Sequence, residues 1–246
     1  HRAGAPIWMV TSGAVAATVT EQPAGATQSP MWGLGRVLGL EHPELLGGLI
    51  DVEGDAKLVA DRVLAEVLHG DGEDQIAWRG DRRFVARLAR TGRIGAATVP
   101  LRADGSYLVT GGLGHLGLEV ARWLAAHGAG HLVLQSRRGL PERRLWPQTP
   151  DDSEDGRRIG AIAAIERLGA AVTVVAADVA DADQMREVFA AFGSTVPELR
   201  GIVHAAAQAG TARLAELTAG DLQAMLRPKV TGTCLLHELS ASRPLD

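Results

Sequence analysis

The chain has one cysteine, Cys234, in 246 residues. No disulfide can form within it, and the composition fits a reducing compartment, which makes a cytoplasmic setting the expectation. Basic excess is missing as well: 25 Lys and Arg against 29 Asp and Glu give a formal net charge of -4. Without a positive field, nucleic acid is not an expected partner. No apolar run approaches the ~20 residues that span a bilayer, so no membrane partner is expected. The opening stretch HRAGAPIWMV lacks the basic-then-apolar order of an export signal. Metal-ligand spacing is absent too. His204 has no partner at useful spacing, and His127 and His131 flank a Gly-Ala-Gly turn rather than sharing a helix face, so metal catalysis is not expected. The chain opens on His1 and closes on SRPLD, just after a helical pattern, so both ends read as cut.

What is present is an alternation of short apolar runs with helical patterns. The length suits one large or two modest domains. In the first third the runs are Ile7 to Thr11, Leu49 to Val52, Gln75 to Trp78 and Arg83 to Leu88, with helical patterns over Met31 to Leu40 and Leu58 to Leu68. Thr91 to Asp104 has glycines, Pro100 and little periodicity, and reads as a linker with a boundary near residue 100. From Ser106 the alternation is cleaner. Strands are expected at Tyr107 to Thr110, His131 to Ser136, Ala171 to Ala176 and Gly201 to Ala205. Helices are expected at Leu116 to His127, Gly160 to Leu168, Asp183 to Phe192 and Asp221 to Leu239. Strict alternation demands right-handed crossovers, hence an α/β fold with a doubly wound parallel sheet. Thr218 and Asp221 have the spacing of a capping box, and Pro228 should kink or interrupt the last helix. The polar stretch Leu140 to Arg158 reads as a poorly ordered surface insertion.

The strongest chemical signal is Thr110 to Gly117, TGGLGHLG, which follows an apolar strand and opens a helix. Gly112, Gly114 and Gly117 have the spacing G-x-G-x-x-G. The first glycine permits a tight turn, the second lets the backbone approach a pyrophosphate, and the third packs helix on strand. The free N–H groups of the helix start attract the anion. The whole run of Thr110, Gly111, Gly112, Leu113, Gly114, His115, Leu116 and Gly117 is therefore a candidate dinucleotide site. The next strand ends in Ser136-Arg137-Arg138, about 20 residues on, where a site for an unphosphorylated ribose carries an acid. Two guanidinium groups and a hydroxyl suit a 2′-phosphate instead, a solvated basic turn being the alternative. Asp178-Val179 ends the third strand, where Asp178 either accepts from an adenine amino group or caps the next helix. His204, Ala205 and Ala206 end the fourth strand, and the small residues leave room for a ribose. A faint echo of the glycine loop, VTSGAVAA, follows the first strand. It has Gly13 but otherwise side chains with Cβ atoms, and is either a degenerate copy or a chance recurrence.

The runs LVTGGLGHLGLEVARWLAAHGA, LVLQSRRG, DVAD, IVHAAA and LRPKVTGT, in this order, resemble the ketoreductase domains of type I modular polyketide synthases, a branch of the short-chain dehydrogenase/reductases. WMVTSGAV, MWGLGRVLGLEHPELLGGLIDV and VARLAR are similar to the same domains' structural half. The resemblance implies a degenerate Rossmann-like structural subdomain with its linker over residues 1–100. An NADPH-binding catalytic Rossmann subdomain, truncated, is expected over 101–246. It also implies NADPH as cofactor and Lys229 as the catalytic lysine, which holds the nicotinamide ribose and lowers the pKa of a proton-donating tyrosine. The implied reaction reduces the β-ketone of an acyl chain to a β-hydroxyacyl thioester. The chain is tethered by phosphopantetheine to an acyl carrier protein, within a synthase whose other domains are partners. The family's serine, tyrosine and asparagine are not among these residues, and Tyr107 lies beneath the glycine loop, so the chain alone is expected to be inactive. Ala209-Gly210-Thr211 stand where one stereochemical class carries LDD, which leans towards the other class. Two further readings are a non-catalytic nucleotide-binding or scaffold module and a free-standing dehydrogenase. The long stretch ahead of the glycine loop disfavours the second.

Overall fold

Apolar runs of four to seven residues alternating with amphipathic helices bury both faces of a sheet, and the chain does this twice. The computed structural model describes residues 5–90, 100–208, 210 and 212–246. Most of the expected linker, 91–99, lies outside the described residues, as do Ala209 and Thr211. Residues 5–90 with Ala212–Glu216 form one unit, and the remaining described residues form a second.

The first unit runs β1 (Ile7–Thr11), α1 (Ser29–Glu41), β2 (Leu46–Val52), α2 (Ala56–His69), β3 (Gln75–Arg79) and β4 (Arg82–Val85). Pro30 sits in the first turn of α1, where a missing N–H costs no helical hydrogen bond. The Asp55 carboxylate caps α2 by accepting from Leu58 N at 2.8 Å. The strands lie in the order β1-β2-β3-β4, with the first three parallel. β4 returns antiparallel through a tight turn that places Gly80 at φ 57°. Leu49, Ile50, Val52 and Ile76 are its buried centre.

The second unit runs β5 (Ser106–Thr110), α3 (His115–Ala126), β6 (His131–Ser136), α4 (Glu154–Glu166), β7 (Ala171–Ala176), α5 (Ala182–Ala191), β8 (Leu199–His204), α6 (Ala219–Arg227) and α7 (Thr233–Ser240). All four strands are parallel, in the order β7-β6-β5-β8. Two apolar clusters cover the two faces. Val109, Leu132 and Leu134 belong to one, and Leu108, Val133 and Leu199 to the other. Burial on both sides is why these strands read as continuous apolar runs rather than alternating ones. The sheet grows outward from β5 through β6 to β7, then the chain crosses back so that β8 pairs with the other side of β5. That reversal separates the loops after β5 and β8 and opens a crevice at their carboxyl ends.

Two local expectations need amending. The stretch 140–158 is not structureless. A short 3-10 helix spans Arg143–Gln148, and Trp146 packs against the core. Arg143 donates to the Val172 carbonyl at 2.5 Å, covering a backbone acceptor on edge strand β7. Helix α4 begins six residues earlier than the apolar pattern indicated, because Ser153 accepts from Gly156 N at 2.9 Å and Glu154 and Asp155 occupy the first turn, where carboxylates suit the helix dipole. Pro228 acts as expected. It ends α6 and is followed by a π-helical turn, Pro228–Gly232, before α7 resumes. The Thr218–Asp221 capping box is formed.

Candidate functional site

The crevice at the strand-order reversal of the second unit has a volume of about 320 Å³. Its floor is the loop between β5 and α3, whose glycines have separate tasks. Gly111 takes φ +64°, a left-handed conformation that a side chain would strain, and a Cβ there would meet the Ala205 carbonyl oxygen at 2.7 Å. The sequence pattern assigned the tight turn to Gly112, but the chain turns one residue sooner. Gly112 is instead pressed between β5 and β6, where a Cβ would lie 2.8 Å from that of Leu134. At Gly117 a Cβ would overlap the Gly111 carbonyl oxygen and come within 2.7 Å of Gly112 Cα, so the start of α3 rests directly on the loop. Gly114 differs. The only neighbour within 4 Å of its Cβ position is Gly111 O at 3.2 Å, and Gly114 lines the crevice. The space above it is open to a ligand at the amino terminus of α3.

Of the other residues read from the motif, Ser136, Arg137, Asp178, Val179, Ala205 and Ala206 line the crevice with Gly111 and Gly114. Thr110 and His204 lie just behind the wall. Thr110 Oγ1 is 2.6 Å from His204 Nδ1 and accepts from Ala206 N at 3.3 Å, while His204 Nε2 lies 3.0 Å from the Pro228 carbonyl. A carbonyl only accepts, so Nε2 carries the proton and Nδ1 accepts from the threonine. Leu113 and Gly117 are buried in packing, and His115 and Leu116 are exposed on the first turn of α3. Arg138 is turned outward, 75% exposed, with Glu154 at 3.7 Å. Lys229 is exposed in the π-helical turn, next to Pro228, which does line the crevice.

Asp178 was open between two roles, and the cap belongs to its neighbour. Asp181 accepts from Asp183 N and Gln184 N at 3.1 and 3.0 Å at the start of α5. Asp178 Oδ1 accepts from Ala180 N at 2.9 Å, and Oδ2 pairs with Arg227 at 2.8 Å. Arg227, Arg158 and Gln135 also line the crevice, and sequence reasoning singled out none of them. Gln135 adjoins Ser136 and Arg227 stands in LRPK, so position in a motif was a usable signal for both. Arg158 is brought in by α4 and had none.

The residues of this crevice suit a dinucleotide: a glycine loop open above Gly114, a helix amino terminus, and the guanidinium groups of Arg137, Arg158 and Arg227 on its walls. Among its described residues the first unit has no counterpart. Its strands follow in sequence order, so no reversal opens a crevice. Its loop is also closed by the protein itself. Asp51 Oδ1 accepts from Thr11 Oγ1 at 2.5 Å and Ala14 N at 2.9 Å, taking the backbone donor that an anion would need, and Arg79 neutralises Asp51 at 2.7 Å. The left-handed glycine there, Gly13, falls two residues after Thr11, whereas Gly111 directly follows Thr110, so the two loops do not share a conformation.

Residues 105–246 match the family model described as the KR domain, and residues 1–88 match the Rossmann fold domain of polyketide synthase extender module SpnB. A 6-methylsalicylic acid synthase of Arthrobotrys oligospora is 38% identical over 98% of the chain, and 5-methyl-1-naphthoate synthase of Streptomyces sahachiroi is 39% identical over 98%. The chain spans 13% of the length of each. Among solved structures, an A1-type ketoreductase superposes with a TM-score of 0.81 at 38% identity, covering 98% of this chain and 48% of its own.

Proposed function

The chain belongs to the ketoreductase domains of polyketide synthases, and from that premise we propose that its second unit binds NADPH for reduction of the β-keto group of an acyl chain carried on an acyl carrier protein. The observation that carries this reading is the coincidence, at one strand-order reversal, of a loop open above Gly114 with Arg137 just past the carboxyl end of the adjoining strand β6. Loop amides and the start of α3 suit the pyrophosphate. Ser136 and Arg137 suit a phosphorylated ribose, and Ala205 and Ala206 leave room beside it. When bound, the nicotinamide supplies hydride. Lys229 is assigned to the nicotinamide ribose and to favouring the ionised form of a nearby phenol.

That phenol is not Tyr107. Its hydroxyl accepts from Arg102 N at 2.7 Å and donates to Asp246 at 3.0 Å, at the opposite end of β5 from the crevice. Burial pushes its pKa up, which is the wrong direction for an activated proton donor. Tyr107 is the only tyrosine in the sequence. A tyrosine proton donor for the reduction would then come from outside these 246 residues, and the chain by itself should bind the cofactor without turning over. The same fact supports a second reading, a nucleotide-binding module that no longer reduces. The experiment is a parallel assay of this chain and of a longer synthase polypeptide containing it, with NADPH and a β-keto thioester. Binding by both with turnover only in the longer polypeptide supports reduction. Binding by both with turnover in neither supports the second reading. Turnover by the 246-residue chain alone would overturn the assignment of its missing groups.

A further inference from the structure

Arg137 and Arg138 form a conspicuous pair in sequence, but only Arg137 faces the crevice. The second guanidinium group on this wall belongs to Arg158, from the first turns of α4. Its side chain is 21% exposed, and it is held from three sides. Nε donates to the Leu113 carbonyl of the glycine loop at 3.2 Å, Nη2 pairs with Glu154 at 2.6 Å, and Nη1 with Asp155 at 3.3 Å. A guanidinium has five N–H donors. One on each terminal nitrogen therefore has no protein acceptor among the described residues, on a fork already fixed in place. Glu154 also draws the exposed Arg138 outward, at 3.7 Å.

We infer that Arg158, with Arg137, is a specificity-determining residue that recognises the phosphate on the adenosine ribose, and that Arg138 is not. The inference rests on the NADPH reading above and adds the residue that sets the preference. A planar fork whose remaining donors lie on the two terminal nitrogens matches two phosphate oxygens, and the ordering cost is small because Glu154, Asp155 and Leu113 already hold it. A different role is open to the same residue: the Leu113 contact steadies the glycine loop. Loss of that contact alone would weaken phosphorylated and unphosphorylated nucleotides equally.

The test uses two probes, adenosine 2′,5′-bisphosphate and adenosine 5′-monophosphate, titrated calorimetrically into the 246-residue chain and its variants Arg158→Gln, Arg158→Lys and Arg138→Gln. Thermal unfolding of each variant checks that it is folded. The wild-type chain should prefer the bisphosphate. Arg158→Gln should cut that preference by about tenfold or more, as expected for a lost charge-assisted pair. Arg158→Lys should recover part of it, and Arg138→Gln should leave it within about twofold on the same scale. A wild-type chain without preference sinks the NADPH reading itself. A preferring wild-type chain whose preference survives Arg158→Gln, or falls instead with Arg138→Gln, overturns the inference alone. Equal weakening of both probes by Arg158→Gln also overturns it, in favour of the loop-steadying role.

Discussion

Thr110 Oγ1 and His204 Nδ1 lie 2.6 Å apart, and the far nitrogen of the same imidazole reaches the Pro228 carbonyl at 3.0 Å. One ring thereby joins the end of β5, the end of β8 and the π-helical turn that carries Lys229. Replacing His204 with phenylalanine keeps the bulk and removes the acceptor of the buried Thr110 hydroxyl and the donor to the Pro228 carbonyl. The expected cost is about 1–3 kcal/mol in denaturant unfolding of the second unit. An unchanged midpoint would mean that this bridge carries no weight.

Gly114→Ala and Gly117→Ala should separate binding from folding. The first adds a methyl group to open space with one neighbour at 3.2 Å, and the second drives a methyl group into the glycine loop's own backbone. Gly114→Ala should cost at most about 1 kcal/mol of stability, since it changes a helix cap. It should still weaken nucleotide binding by about tenfold or more, because it fills the space a phosphate would take. Gly117→Ala should lower the unfolding midpoint itself. Thermal melts with and without nucleotide distinguish the two patterns.

In the first unit, Asp51 is fully buried and holds Thr11, Ala14 and Arg79 at once. Asp51→Ala leaves Thr11 Oγ1 and Ala14 N without their acceptor and Arg79 with Glu21 as its remaining carboxylate, so the expected cost is about 1–3 kcal/mol. Urea unfolding followed by tryptophan fluorescence reads this, because Trp32 donates to Thr11 Oγ1 at 2.9 Å within the same network. A loss near that of an exposed pair would contradict the account.

His131 gives a pH dependence. It is buried between Ser106 and Thr173, with contacts of 2.9 and 3.1 Å, and burial pushes its pKa below the ordinary 6.5. The unfolded chain therefore binds the proton more readily than the folded one. The stability that neutral His131 supports is complete above about pH 6.5 and is lost as pH falls through the depressed folded value. His131→Gln should flatten this part of the stability profile between pH 7 and 5. An identical acid dependence in wild type and variant would assign it elsewhere.

The fold was legible where burial is two-sided and the motif is local. Val109, Leu132 and Leu134 lie in continuous apolar runs because both faces of their sheet are covered, and the glycine loop signals itself by strand, turn and helix in one short segment. The sequence hid what depends on neighbours in space. The early start of α4 was obscured because Glu154 and Asp155 look like a solvated loop unless Ser153 is recognised as a cap. The turn at Gly111 was misassigned because the G-x-G-x-x-G spacing picks out Gly112, while the left-handed φ of Gly111 and the packing of Gly112 against Leu134 are set by neighbours in space. Arg158 was missed because α4 alone brings it to the glycine loop.

The central claim is that the crevice between the β5 and β8 loops holds a phosphorylated nicotinamide dinucleotide. Fluorescence titration of the folded chain with NADPH and with NADH tests it most directly. The account predicts saturable binding with NADPH preferred by about tenfold or more, the worth of one charge-assisted phosphate contact. Equal affinity for the two, or tighter binding of NADH, would contradict it.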